Sequence, residues 1–304
     1  MTRFFAHRLA PEIILLFATA LWGLAFLIVH LGVATVPPLP FVALRFATAA
    51  IMVRLLTGAK LSRVTATELR AGPLIGLAML GGYGLQAIGL QTIGAGRAAF
   101  IGALYVPLVP ILQWIVLGRR PEKHIWISVV LATAGMIALA NPIDVLPGRA
   151  ATGFGRGDAF TLAATLAVAT ELLLMAQFAP RVDPRRLAIL ECVAVAIYAV
   201  AVSLLTGQRL PAIAPFWLAC ALGLGAASAF LQVSSNWAMR RVPAPRAMLI
   251  FATEPVWAGL FGALHGEPMG LSTLLGATLI ISALVVNASR RDSRSAPPAA
   301  VSSK

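Results

Sequence analysis

The chain has 304 residues, of which 59% are hydrophobic and only 12% charged, with a mean hydropathy of +0.88. Soluble domains carry about 25% charged residues, so most of this chain cannot face water, and no connection is long enough to hold a soluble catalytic domain. The formal net charge of +13 would suit a polyanionic partner, but its distribution gives it another origin.

At about 20 residues per spanning helix, the length accommodates ten spans. The apolar runs are 12–34, 39–57, 69–91, 95–117, 122–140, 158–179, 186–206, 212–236, 244–265 and 269–288. The first follows Arg3 and Arg8, is long for a signal peptide and has no small-x-small cleavage pattern before Pro37, so it reads as a retained span. Pro37-Pro38, Gly58, Gly118, Asn141-Pro142, Pro180, Gly207 and Gly266 break the runs as turn or helix-stop residues do. In lipid every backbone polar group must be satisfied internally, which leaves helices or a closed barrel. Runs of this length are too long for barrel strands, so the expected fold is an all-α membrane protein. Residues 290–304 read as a disordered cytoplasmic tail.

Cytoplasmic loops carry the excess of Lys and Arg. With the N-terminus inside and ten spans, 19 of the 24 basic residues fall on the inside, 4 on the outside (Arg97, Arg149, Arg156 and Arg209), and Arg45 lies within a span. This split predicts both termini in the cytoplasm, with the chain in a cell (inner) membrane. It explains the basic charge without nucleic acid. Cys192 and Cys220 lie inside apolar runs, without metal-ligand spacing or a disulfide framework.

The two halves share a register. At a constant offset, Pro107 meets Pro255 and Gly118 meets Gly266, and in each half a short turn and a last span follow that glycine. The turn after Gly118 is basic (Arg119, Arg120, Lys123), whereas that after Gly266 is not. Five spans per half put the second copy upside down. The expectation is two inverted five-helix repeats, 10–140 (helices one to five) and 157–289 (helices six to ten), as recurs in secondary transporters.

Ala20-Leu21-Trp22-Gly23, Leu44-Arg45-Phe46 and the Pro-centred stretches ending in Gly118 and Gly266-Glu267 resemble the EamA family of the drug/metabolite transporter (DMT) superfamily. The resemblance covers about residues 10–288. It implies ten helices, cytoplasmic termini, export of metabolites or amino-acid-like compounds, and a central cavity lined by spans one, three, four, six, eight and nine. This chain departs from the family pattern at Arg119, where an acidic residue is common, and at His30, where a lysine is.

Ionisable groups inside a bilayer cost upward of about 2.5 kcal/mol and mark function by default. Glu254, before Pro255 in the ninth span, and Glu171, mid-span in the sixth, are the proton-coupling candidates. Glu191 sits a turn inside span seven near Arg185 and Arg186, where ion pairing or snorkelling is the simpler reading. Arg45, toward the outer end of span two, reads as a structural group capping or pairing at the outer surface. The remaining cavity candidates are Trp22, Phe26, Tyr83, Gln86, Phe100, Tyr105, Met175, Gln232 and Asn236, each with helix packing as its alternative. Gly81-Gly82 is a candidate hinge. The series Gly72, Gly76, Gly84 and Ala219, Gly223, Ala227 give small faces for close helix approach.

The sequence has no G-x-S-x-G elbow, H-E-x-x-H pair or Walker motif, so an intramembrane enzyme or ATP-driven pump ranks far below a transporter, and no cofactor or metal is expected. The expected partners are a small-molecule substrate, the lipid bilayer and a proton, with the chain a monomer or weak homodimer. Amino acids lead as substrates, with multidrug or nucleobase-like transport as the alternative.

Overall fold

The computed structural model describes residues 2–118, 120–140, 155–208, 214–242, 244–254, 256–257, 260–261 and 271–295. Among these all regular structure is helical. The helices are α1 (Thr2–Val33), α2 (Pro38–Thr57), α3 (Ala66–Met79), α4 (Leu85–Gly89), α5 (Ala95–Gly102), α6 (Tyr105–Leu117), α7 (Lys123–Ala140), α8 (Arg156–Phe178), α9 (Pro184–Leu205), α10 (Pro215–Met239), α11 (Ala244–Phe251) and α12 (Leu271–Ser295). Among the described residues six stretches are long and apolar enough to cross a membrane: 11–33, 38–57, 66–89, 156–181, 184–205 and 215–239. The fourth expected run divides into α5 and α6, and the ninth is described only in part. Pro142, Gly266, Glu267, Arg119, Asp144 and the tail beyond Ser295 lie outside the described residues.

Local chemistry sets the helix ends. Prolines open α2, α9 and α10, where the missing N–H costs nothing, and Gly58 and Gly118 close α2 and α6 in the left-handed conformation. Thr65 and Glu68 form a reciprocal capping box at the start of α3. Glu68 also accepts from the backbone N–H of Asp183, at 2.9 Å, and from the Arg186 guanidinium, at 2.8 Å, so one fully buried carboxylate joins the starts of α3 and α9. Asp183 caps α9. Partial burial alone would raise its carboxyl, but hydrogen bonds from Arg185 and Arg186 outweigh this and hold it below the usual aspartate range.

Two breaks occur in matching places. α5 ends at Gly102 before a turn through Ala103 and Leu104, and α11 ends at Phe251 before a turn through Ala252 and Thr253. Pro107 follows Ala103 by four residues and Pro255 follows Phe251 by four. A proline offers no N–H to the carbonyl four residues back and its ring clashes with that carbonyl. At the first break the Ala103 carbonyl accepts instead from the Val106 N–H at 3.0 Å; at the second the turn is closed by the Thr253 N–H donating to the Ile250 carbonyl, also at 3.0 Å.

The helix pairings are also reciprocal. α7 packs along α12 and α2 along α9. α2 meets α10 as α9 meets α3, and α1 meets α10 and α11 as α8 meets α3–α4 and α6. One buried cluster joins α1, α2, α3, α9 and α10, and a second joins α1, α6, α8, α10, α11 and α12.

The expected small faces are met in part. Gly72 lies against Leu190 and Gly76 against Ala194, where α3 crosses α9. On α10 the close approach is at Gly225, not Gly223: a Cβ on Gly225 would lie 2.7 Å from the Arg45 carbonyl oxygen, whereas one on Gly223 would meet nothing within 4 Å. Ala221, Gly225 and Ser228 therefore form the face turned to α2.

Candidate functional site

A cavity lies where α1, α2, α5, α6, α8 and α11 converge. α1 contributes Trp22, Ala25, Phe26 and Val29, one stripe at three- and four-residue spacing. α8 contributes Thr161, Ala164, Thr165, Val168, Glu171 and Leu172 by the same rule. The break between α5 and α6 supplies Gly102 and Tyr105, and the break after α11 supplies Phe251 and Glu254.

Between α3 and α4 the backbone winds more widely over Leu80–Gly84, with hydrogen bonds spanning one extra residue. Such π-turns re-aim side chains and frequently mark functional sites. Here the expected Gly81-Gly82 hinge position is a wide turn that places Tyr83 and, just beyond it, Gln86 in the cavity wall. A Cβ on Gly82 would lie 2.8 Å from Val168, so α8 runs close beside this turn.

The wall is aromatic with a few polar groups. Trp22 meets Phe251 edge-on at 4.9 Å, and Tyr83 packs on Phe46 at 5.0 Å. The Tyr105 hydroxyl donates to Glu254 Oε2 across the two helix breaks, at 3.3 Å. The Thr165 hydroxyl donates to the Ile101 carbonyl at 3.1 Å, fixing α8 against α5. The space open to the centres of water-sized groups is about 60 Å³. A single water needs roughly 10–15 Å³ on this measure, so the cavity holds several non-hydrogen atoms in this conformation.

Of the residues singled out in the sequence, Trp22, Phe26, Tyr83, Gln86, Tyr105, Glu171 and Glu254 share this cavity. Phe100 falls on α5, and its side chain lies outside the described residues. Met175 is buried in the second core cluster and is not a lining residue. Gln232 and Asn236 also do not line the cavity. Gln232 donates to the Met79 sulfur at 3.9 Å, and Asn236 donates to Glu191 Oε2 at 2.8 Å. α10 thus supplies none of the cavity lining that the family resemblance implied for span eight: Gln232 and Asn236 are engaged with Met79 of α3 and Glu191 of α9 behind the wall.

Two ionisable residues sit elsewhere than expected. Glu191 is fully buried and bonded to Asn236, while Arg186 goes to Glu68 instead. Arg45 is not at the outer surface: it is 3% exposed and lines the cavity. Its Nε donates to Ser228 Oγ at 2.8 Å, and its guanidinium lies 5.0 Å from the centre of the Tyr83 ring. His30 Nδ1 pairs with the Leu90 carbonyl at 3.0 Å, tying α1 to the end of α4. Thr161 and Thr165 are lining residues not singled out in the sequence, and their helical spacing with Val168 and Glu171 was the available signal. Among the described residues no group of three or more His, Cys, Asp or Glu gathers as a metal site.

This arrangement can bind and enclose a small molecule. Comparisons with known proteins agree with that chemistry. The chain is 25% identical over 280 residues to an uncharacterized transporter of Archaeoglobus fulgidus, covering 92% of this chain and 86% of the relative. It is 27% identical over 302 residues to the uncharacterized inner membrane transporter YedA of Escherichia coli strain K12, covering 92% and 91%. A solved crystal structure with 17% identity superposes with a TM-score of 0.74 over 95% of this chain and 100% of its own, a likeness of fold. The model of the EamA-like transporter family matches residues 10–141 and 155–289, and the chain is a multi-pass membrane protein that belongs to this family of transporters.

Proposed function

We propose that the protein is a secondary transporter that exports small metabolites such as amino acids, by alternating access at the cavity described above, with no enzymatic step. The observation that carries the reading is the Tyr105–Glu254 hydrogen bond. It joins the two proline-linked helix breaks, one from each half of the chain, inside a shared cavity. Broken helices near the membrane midplane, at the junction of two repeats, are the usual binding elements of such transporters.

The reading takes the chain as ten spans in two inverted repeats, 10–140 and 157–289, with both termini in the cytoplasm. The reciprocal pairing of α2 with α10 and α9 with α3 supports the duplication, and the 19-to-4 split of basic residues supports the orientation. Glu254 and, second to it, Glu171 are the proton carriers: both are buried carboxyls on the cavity wall.

Uptake of labelled amino acids into proteoliposomes, with and without a pH gradient, tests this. Gradient-driven flux is expected, and Glu254→Gln should remove the gradient dependence. Gradient-driven flux that survives in Glu254→Gln would remove Glu254 from the coupling role.

A further inference from the structure

Arg45 is the feature that the transport reading leaves unused. Arginine stays protonated in proteins, and Arg45 is 3% exposed on the wall of the cavity. Its Nε is taken by the neutral Ser228 hydroxyl and its faces by Phe46 and Tyr83, at 5.1 and 5.0 Å. Among the described residues no carboxylate lies within ion-pair distance of it, and the one carboxyl whose charge reaches it is Glu171, on the same cavity wall. Its two terminal nitrogens have no protein acceptor there. A desolvated charge is costly unless it is paired and hydrogen-bonded. The planar fork of a guanidinium fits a carboxylate with two parallel bonds. The Arg45 side chain is itself held by Ser228 and the two rings, so an anion would meet a positioned donor.

The same cavity carries Glu171 and Glu254. They repel a dianion such as a phosphate ester, and they can accept from an ammonium group. Trp22, Phe26 and Phe251 line the same cavity and suit an apolar side chain. We infer that Arg45 binds the carboxylate of a zwitterionic substrate, an α-amino acid with an apolar side chain whose ammonium group faces Glu171 and Glu254. This rests on the transport reading and narrows it to one ligand class with one anchor.

Purified full-length protein in lipid nanodiscs, titrated with the protein amino acids and followed by thermal unfolding, tests the inference. Apolar amino acids should raise the unfolding temperature. For each one that does, its carboxamide and its deaminated acid should bind at least about tenfold more weakly, the loss that goes with a missing charge-assisted pair. These arms use the unaltered protein, so they do not depend on a variant folding. Arg45→Lys keeps the charge without the fork, and should bind the amino acids about tenfold or more weakly while its own unfolding temperature stays measurable. If none of the amino acids binds, or if carboxamides bind as well as acids, the inference is overturned. A parallel flux assay with the same panel and with planar nucleobases separates the two levels. Flux of nucleobases without amino-acid binding overturns the Arg45 assignment and leaves transport standing. Absence of flux for every compound overturns the transport reading itself.

Discussion

At Glu254 a single side chain links sequence, break and cavity. Its carboxyl was conspicuous in the sequence because it precedes a proline inside an apolar run. The structure adds its partner, the Tyr105 hydroxyl from the opposite half. Tyr105→Phe removes one neutral-to-acid hydrogen bond while keeping the ring. It should cost about 1 kcal/mol of stability, read as a small drop in unfolding temperature, and should alter the pH profile of flux more than the affinity for substrate. Arg45 shows the opposite case. Its position in the chain suggests a surface charge, because depth along a helix can be read from sequence but the facing of one residue in a peripheral span cannot. Only the packing of α2 against α10 and the wide turn before α4 puts its guanidinium on the cavity wall.

Among the elements, the helix-ending glycines Gly58 and Gly118 were legible in the sequence, whereas the break inside the fourth expected span and the facing of the polar side of α10 were not. Pro107 and Pro255 set the register of the two halves in the sequence, and the structure shows α5 and α11 stopping close to the carbonyls four residues before them, which lose their donors. Gln232, Ser235 and Asn236 form a polar stripe that suits a cavity equally well, yet Asn236 is drawn to Glu191 and the stripe faces α3 and α9. A stripe has a direction only once its neighbours are known. The Glu68 node follows from the same logic: its bond to the Thr65 N–H is local to α3, while its bonds to Asp183 and Arg186 are tertiary.

Glu68→Ala should lower stability by about 2–3 kcal/mol, since the backbone N–H groups of Thr65 and Asp183 lose their acceptor and Arg186, only partly exposed, loses its carboxylate. Thermal unfolding in detergent checks this. Asp183 adds an acid-sensitive contribution. Its carboxyl is held below the usual range in the folded state, so its stabilisation is present above the ordinary aspartate pKa near 3.8 and fades as pH falls through the lower folded value. Asp183→Asn should flatten that part of the pH–stability curve. At α10, Gly225→Ala must push α2 away from the Arg45 carbonyl, whereas Gly223→Ala should be nearly neutral or slightly stabilising. Equal unfolding temperatures for the two variants would contradict the assigned α2–α10 contact.

For the whole molecule, composition alone identified the solvent, and the shared offset of the two halves suggested the duplication. What the sequence could not supply is which helices face each other across the centre. That depends on many small side chains permitting close approach, and the contribution of α2 to the cavity in place of α10 is its clearest consequence. The orientation has its own test. Single cysteines at Asp144 and Glu122 should label from opposite sides in sealed cells, the first from outside and the second only after permeabilisation.

The central claim, that two halves of the chain enclose one small-molecule site and move its contents across the bilayer, is tested most directly by counterflow. Proteoliposomes containing the purified protein and loaded with unlabelled apolar amino acid should accumulate the labelled compound transiently, and Glu254→Gln should retain this exchange while losing its response to a pH gradient. Labelled compound that enters no faster than into protein-free liposomes, for every amino acid and nucleobase loaded, would contradict the account.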